Sequence, residues 1–342
     1  MPNKVKILLI YTGGTIGMMK DSDTGALKAF NFSRLLKKIP ELKQLDCAIE
    51  TISFETPIDS SNMSPEQWTK MATIIDDNYV QFDGFVVLHG SDTMSYSASA
   101  LSFMLENLSK AVVFTGSQLP IGDLRTDAKE NLITAIQIAA LQMDNSPAIT
   151  EVCLYFENKL YRGNRTTKIN SENFNAFISP NYPTLIESGV NLKTFPELFL
   201  PKREVKNLKI HKQFENNVAI VKIFPGMSET VLAAIFTIPE LKGVILETYG
   251  AGNAPTEDWF LALLKKAVAR GIQVVNVTQC SIGSVIMGKY ETSSEMKEIG
   301  IISGKDITTE AAITKLMWLL GQNVPQAIFK SMFETSLRGE LS

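Results

Sequence analysis

The sequence has 342 residues, 45% of them hydrophobic and 20% charged, with a formal net charge of −3. That length predicts two domains with separate cores, and the charge offers no basic footprint for nucleic acid. No apolar run approaches the roughly 20 residues of a membrane helix, so a membrane partner is not expected either. In chain order, residues 7–11 ("ILLIY") read as a short, fully buried strand. It runs into Thr12-Gly13-Gly14-Thr15-Ile16-Gly17, a tight glycine-rich turn. "ETISFETPI" follows, then the polar loop Asp59-Ser60-Ser61. Ser64, Pro65 and Gln67 predict a helix start with a capping box. Residues 83–89 ("DGFVVLH") read as a strand and 91–108 as a helix. The helix rests on Met94, Ala98, Leu101, Leu105 and Leu108, spaced alternately by four and three. "AVVFTGS" is the next strand and "RTDAKENLITAIQIAALQ" the next helix. Alternation of this kind predicts a parallel sheet covered on both faces.

From residue 151 the pattern changes. "EVCLYFENKLYRGNRTTKIN" reads as strand, turn and strand, with Asn158-Lys159 at the turn. Residues 187–212 are less patterned and carry Pro196, Pro201, Lys202, Arg203, Lys206, Lys209 and Lys212. They fit an anionic-partner patch or a solvated interdomain linker, and the linker is the better reading. A second series has strands "NVAIVKIF", "KGVILETYG" and "IQVVNVT", with helices "SETVLAAIFT" and "EDWFLALLKKAVAR". Two further helices are expected near 309–320 and 325–337. The fold class is therefore α/β. A larger N-terminal domain (1–190) carries a mostly parallel sheet flanked by helices. A linker (191–213) leads to a smaller C-terminal α/β domain (214–342).

Cys47, Cys153 and Cys280 are odd in number and far apart. That argues against a disulfide framework or zinc cluster and for reduced thiols. Lys4 and Lys6 precede only a short apolar run with no small-residue cleavage site, so a cytoplasmic location is expected. His89 and His211 are the only histidines, leaving little for a Ser-His-Asp triad or a His-based metal site.

In open parallel sheets, sites form beyond the carboxyl ends of strands. That rule selects 12–17, 59–61 and Ser91-Asp92. The first turn is neither G-x-G-x-x-G nor a P-loop, which argues against a phosphate cradle. Thr15 lies between Gly14 and Ile16, where an open backbone exposes a hydroxyl beside N–H donors able to hold an oxyanion. A threonine nucleophile needs a base, and the candidates are too many lysines for spacing to choose among. Residue chemistry alone stops at a hydroxyl-rich α/β site of an enzyme.

Several motifs, in order, carry a resemblance further. They are "YTGGTIG", "HGSDTM", "TGSQLP", "RGNRTTK", "YGAGNAP", "NVTQC" and the terminal "LRGEL". Together they resemble bacterial L-asparaginases of the cytoplasmic, type I branch. The resemblance implies an L-asparagine amidohydrolase that releases L-aspartate and ammonia through a β-aspartyl ester on Thr15, with weak glutaminase activity. It implies Thr15, Ser91, Asp92 and Lys168 as catalytic residues, and Asp59, Ser60 and Ser61 with Ser91 and Asp92 as the substrate site. Asp92 would hold the α-ammonium and Ser60 the α-carboxylate. No metal or organic cofactor is implied. An opposite charge keeps a lysine protonated, so Lys168 beside Asp92 is expected to position groups or relay a proton.

Three departures stand out. Ser91 replaces the family's threonine and loses the stiffness of a β-branched side chain. The lid, about residues 18–31, has no tyrosine, with Ala26 or Leu27 near its place. Glu247 stands where some members bind a regulatory asparagine through arginine, while Thr167 and Cys280 remain. That regulatory site is expected to be absent or rewired. The family's homodimers and homotetramers imply a similar assembly, in which Asn253 would reach across a subunit boundary; a plain turn residue is the other reading. Two alternatives share the motifs: a non-catalytic asparagine sensor, and the amidase subunit of a tRNA-dependent amidotransferase.

Overall fold

A computed structural model of the chain describes residues 4–20, 27–29, 39–202, 206–288 and 291–342. It forms two compact units, Met1–Lys212 and Gln213–Ser342. The first is built on strands β1 (Lys6–Gly13), β2 (Ala48–Ile58), β3 (Gly84–Leu88), β4 (Ala111–Thr115), β5 (Val152–Phe156), β6 (Lys159–Arg162), β7 (Ile186–Ser188) and β8 (Leu192–Thr194). They form one sheet in the order β8-β7-β6-β5-β4-β3-β1-β2. Pairing is parallel from β5 to β2 and antiparallel from β5 to β8.

Period-two alternation sends neighbouring strand residues to opposite faces, and here both faces are buried. Ile7, Leu9, Val86 and Val113 pack with Leu132, Ala135 and Ile136 of helix α3 (Ala128–Ala139). The alternate residues Leu8, Ile10, Phe85 and Val87 are also buried. Each such side chain contributes about 1.5–3 kcal/mol. The preceding helices are α1 (Pro65–Asp77) and α2 (Met94–Met104).

Several expectations are corrected. The Ser64 hydroxyl donates to Glu66 Oε2 at 2.5 Å, so the capping box with Gln67 does not form; Ser64 caps only through its carbonyl. The helix expected over 91–108 is a 3-10 turn (Ser91–Thr93) followed by α2. It stops at Met104 because Leu105–Glu106 pairs with Lys209–Ile210, and Asn107 then turns the chain at φ 65°. Asn tolerates that left-handed conformation. The β5–β6 turn lies one residue earlier than expected. Phe156 pairs with Lys159, leaving Glu157 and Asn158 as a two-residue loop at φ 43° and 65°. Of the stretch expected as a linker, 192–194 is the sheet's edge strand and Lys209–Ile210 belongs to the pairing just described. Arg203 lies outside the described residues.

The second unit has four parallel strands in sequential order: β9 (Val218–Lys222), β10 (Gly243–Thr248), β11 (Gln273–Thr278) and β12 (Ile302–Ser303). Its helices are α4 (Glu229–Phe236), α5 (Asp258–Ala269), α6 (Glu291–Ile299), α7 (Thr309–Gly321) and α8 (Gln326–Glu334). Helix α6 escaped prediction because "ETSSEMKEI" offers few apolar anchors, chiefly the fully buried Met296. The terminal "LRGEL" has a packing explanation. Glu340 forms a buried ion pair with Lys315 of α7 and accepts N–H bonds from Leu337 (3.0 Å) and Arg338 (2.7 Å). Lys315 Nζ also donates to the Phe333 and Thr335 carbonyls, each at 2.7 Å. No helix among the described residues is long and apolar enough to cross a membrane.

Candidate active site

Loops beyond the carboxyl ends of β1, β2, β3 and β4 converge, as the strand rule anticipates. Glycine lets them approach. A Cβ on Gly13 (φ 137°) would fall 2.1 Å from the Ile58 carbonyl oxygen. One on Gly14 (φ 85°) would fall 2.6 Å from the Gly90 Cα. The Thr15 turn thus lies backbone to backbone against the segment that presents Ser91 and Asp92. Thr15 itself is half-buried and opens a 3-10 turn closed by Gly17 N–H donating to the Gly14 carbonyl at 3.2 Å.

The 59–61 loop packs on the same point. A Cβ on Gly90 would meet Ser60 Oγ at 2.6 Å, and Thr93 Oγ1 donates to the Ser60 carbonyl at 2.7 Å. Ser60 is buried, whereas Asp59 and Ser61 are exposed. Asp59 accepts from the Ser61 N–H (3.0 Å) and hydroxyl (2.9 Å), which holds the loop in a tight cap.

Beneath the site His89 is wholly buried, with Nδ1 at 2.7 Å from the Gly90 carbonyl. A carbonyl only accepts, so Nδ1 carries the proton. Nε2 is buried with no hydrogen-bond partner among the described residues. Burial pushes the imidazole down to about 4, despite the opposing bond to Gly90. His89 is therefore neutral near pH 7 and braces Gly90.

Lys168 arrives on "RGNRTTK", which is anchored residue by residue. Arg162 Nε donates to Glu151 Oε2 at 2.6 Å, both groups buried. Gly163 sits where a Cβ would press on Ala98 of α2 at 3.0 Å. Asn164 Nδ2 donates to Ser102 Oγ (3.1 Å) and Thr166 Oγ1 to Ser95 Oγ (3.0 Å). These bonds satisfy serines of a helix buried on nearly all sides and set where Lys168 emerges. Its Nζ donates to Ser91 Oγ at 2.9 Å and Asp92 Oδ1 at 2.7 Å. Lys168 is 17% exposed and Asp92 66%. The structure thus gathers Thr15, Ser60, Ser91, Asp92 and Lys168, with Asp59 and Ser61 at the exposed side. The hairpin Met18–Lys20/Leu27–Ala29 forms the base of the expected lid, whose residues 21–26 and 30–31 lie outside the described ones.

Both halves of the chain match family models. Residues 6–198 fit "Asparaginase, N-terminal" and 217–333 fit "Glutaminase/Asparaginase C-terminal domain". The chain belongs to the asparaginase family. It is 44% identical over 340 residues to L-asparaginase 1 of Escherichia coli K12, covering 99% of this chain and 98% of that protein. It is 38% identical over 359 residues to the mouse 60 kDa lysophospholipase, covering 98% of this chain and 62% of that one. The crystal structure of L-asparaginase I from Vibrio cholerae superposes with a TM-score of 0.90 at 41% identity, covering 99% of each chain.

One residue of this asparaginase-family site had no role assigned from sequence. Gln118, in "TGSQLP" just beyond β4, accepts from Ser91 Oγ at 3.2 Å. Its position after a parallel strand was the available signal. In the second unit, Asn253 closes a turn on Tyr249, and its Oδ1 is buried with no partner among the described residues. Asn276 of "NVTQC" supports that turn, donating to the Gly252 carbonyl at 3.0 Å. Glu247 accepts from Thr309 Oγ1 at 2.7 Å, Cys280 is exposed, and Thr167 is half-buried beside Lys168.

Proposed function

We propose that this chain hydrolyses L-asparagine to L-aspartate and ammonia through a β-aspartyl ester on Thr15. The observation that carries the reading is the Lys168–Ser91–Asp92 cluster, held against the Thr15 turn through Gly14 and Gly90. Thr15 Oγ1 attacks the side-chain amide carbon, its proton passes through the neighbouring network to the amide nitrogen, and the C–N bond breaks to release ammonia. Water then cleaves the ester, splitting one difficult step into two. Asp92, largely exposed, takes the α-ammonium of the substrate, while Ser60 and nearby backbone donors take the α-carboxylate. Lys168 holds the Ser91 hydroxyl and the Asp92 carboxylate in place and relays protons between them.

Glutamine differs by one methylene, worth ~1–3 kcal/mol in a fitted pocket, so glutaminase activity is a weak side reaction. The three free thiols fit a cytoplasmic enzyme. A homodimer or homotetramer fits the family, with Asn253 reaching a neighbouring subunit's site. Glu247 already accepts from Thr309, and its carboxylate would repel that of an effector asparagine. We therefore infer that Thr167, Glu247 and Cys280 form no working regulatory site.

The test is ammonia release from L-asparagine and L-glutamine by wild type and Thr15→Ala. Release from asparagine that vanishes in the variant supports the reading. Asparagine binding without release would make the chain a sensor on an asparaginase fold.

A further inference from the structure

Lys168 Nζ donates to Ser91 Oγ, and the chain that follows Lys168 holds the other partner of that hydroxyl, Gln118. Asn170 Oδ1 accepts from the Glu172 and Asn173 N–H groups at 2.9 and 3.1 Å, folding 170–173 into a tight turn. The turn presents the Asn173 carbonyl 3.1 Å from Gln118 Nε2, with the Asn170 carbonyl at 3.5 Å. Carbonyls only accept, so the amide nitrogen of Gln118 must face them and its Oε1 must face Ser91. Oε1 cannot donate. The Ser91 hydroxyl proton therefore points at Gln118, 3.2 Å away, and its lone pairs face Lys168 Nζ.

We propose that Gln118 is a positioning residue that fixes both the rotamer and the proton direction of the Ser91 hydroxyl. The inference rests on the asparaginase reading above. It gives a physical reason why serine serves where the family has threonine. Serine lacks the β-branch that stiffens χ1, and a second anchor supplies the constraint. The hydrogen bonds then run one way, from the Lys168 ammonium to Ser91 Oγ and from the Ser91 hydroxyl to Gln118, a fixed polarity and not a proton transfer to the amide. They are grounded on backbone carbonyls that cannot flip.

The side chain can be altered without disturbing its loop. The Gln118 and Leu119 N–H groups both donate to the Asp127 carboxylate at 3.0–3.1 Å, and Asn131 Nδ2 donates to the same group at 3.1 Å. None of these bonds uses the Gln118 amide.

The experiment is a cycle of wild type, Gln118→Met, Ser91→Thr and the double variant, read by kcat and KM for asparagine and by Tm, with Thr15→Ala as the blank. Methionine keeps the length and removes the side chain's hydrogen bonds to Ser91, Asn170 and Asn173. We expect Gln118→Met to lower kcat by about tenfold or more, the scale of one lost hydrogen bond to a working group, with KM within about threefold. In the Ser91→Thr background the same change should cost less than about threefold, because the β-branch restores the rotamer. An equal loss in both backgrounds, no loss in either, or a fall in Tm that tracks the lost activity would each overturn the proposal. A wild type that releases no ammonia would remove the asparaginase reading itself, and this inference with it.

Discussion

Lys168→Met separates catalysis from stability. The substitution keeps the side chain's length and removes the charge, the 2.9 Å bond to Ser91 and the 2.7 Å bond to Asp92. Asp92 is 66% exposed, so water replaces the lost partner, and the ion pair falls in the surface class worth at most about 1 kcal/mol. For a chain of this size that is a Tm change of about 2–4 °C or less. Ser91 keeps its bond to Gln118, so the local fold stays anchored. The activity effect should be far larger. Removing a group that relays protons costs about 10²-fold or more in kcat, or about 2.7 kcal/mol of barrier. Ammonia release under saturating asparagine, with a thermal melt of the same sample, gives both numbers. A kcat within about threefold of wild type at unchanged Tm would refute an essential role for Lys168.

Other outcomes follow from the same geometry. His89, lowered from 6.5 to about 4, stays neutral in the fold, whereas the unfolded chain takes up its proton first. Stability should therefore fall by ~3 kcal/mol as pH drops from about 6.5 to about 4, and urea midpoints of His89→Gln should lack that part of the slope. Glu340→Gln leaves the Lys315 ammonium buried without its counter-charge, so the second unit should lose about 3–5 kcal/mol in denaturant unfolding; a loss below about 1 kcal/mol would contradict the buried pair. Burial raises the Glu340 carboxyl, but Lys315 and two N–H donors outweigh it and hold it low. Its contribution is thus present above the ordinary glutamate range and lost as pH falls through the lowered value, a slope that Glu340→Gln should flatten. Asparagine saturation should be hyperbolic and unaffected by Cys280→Ser; sigmoidal kinetics abolished by that change would overturn the inference about Glu247.

The residues that were legible in the sequence are those whose neighbours constrain them locally. Ile7 to Tyr11 reads as a buried strand, and the glycines after it as a tight, open turn with room for another backbone. The structure identifies that backbone as Ile58 and Gly90, which no local pattern names. Lys168 could be chosen among many lysines only through the family motif. Its placement depends on Asn164 and Thr166 bonding serines of α2 some 60 to 70 positions earlier. The position of Gln118 after a parallel strand was a signal, but its partners were not legible, since they lie across two other loops. Helix α2 was overextended because Leu105 and Leu108 kept the helical period while tertiary pairing drew Leu105–Glu106 into a strand. Helix α6 shows the reverse, a weakly patterned segment fixed by the burial of Met296.

The proposed reaction requires Thr15 to carry the acyl group. Purified protein is mixed with L-asparagine, quenched in acid within a turnover, digested and mapped by mass spectrometry. An added aspartyl group is expected on the peptide containing Thr15, absent from Thr15→Ala together with ammonia release. An aspartyl adduct on another hydroxyl, or undiminished ammonia release from Thr15→Ala, would contradict it.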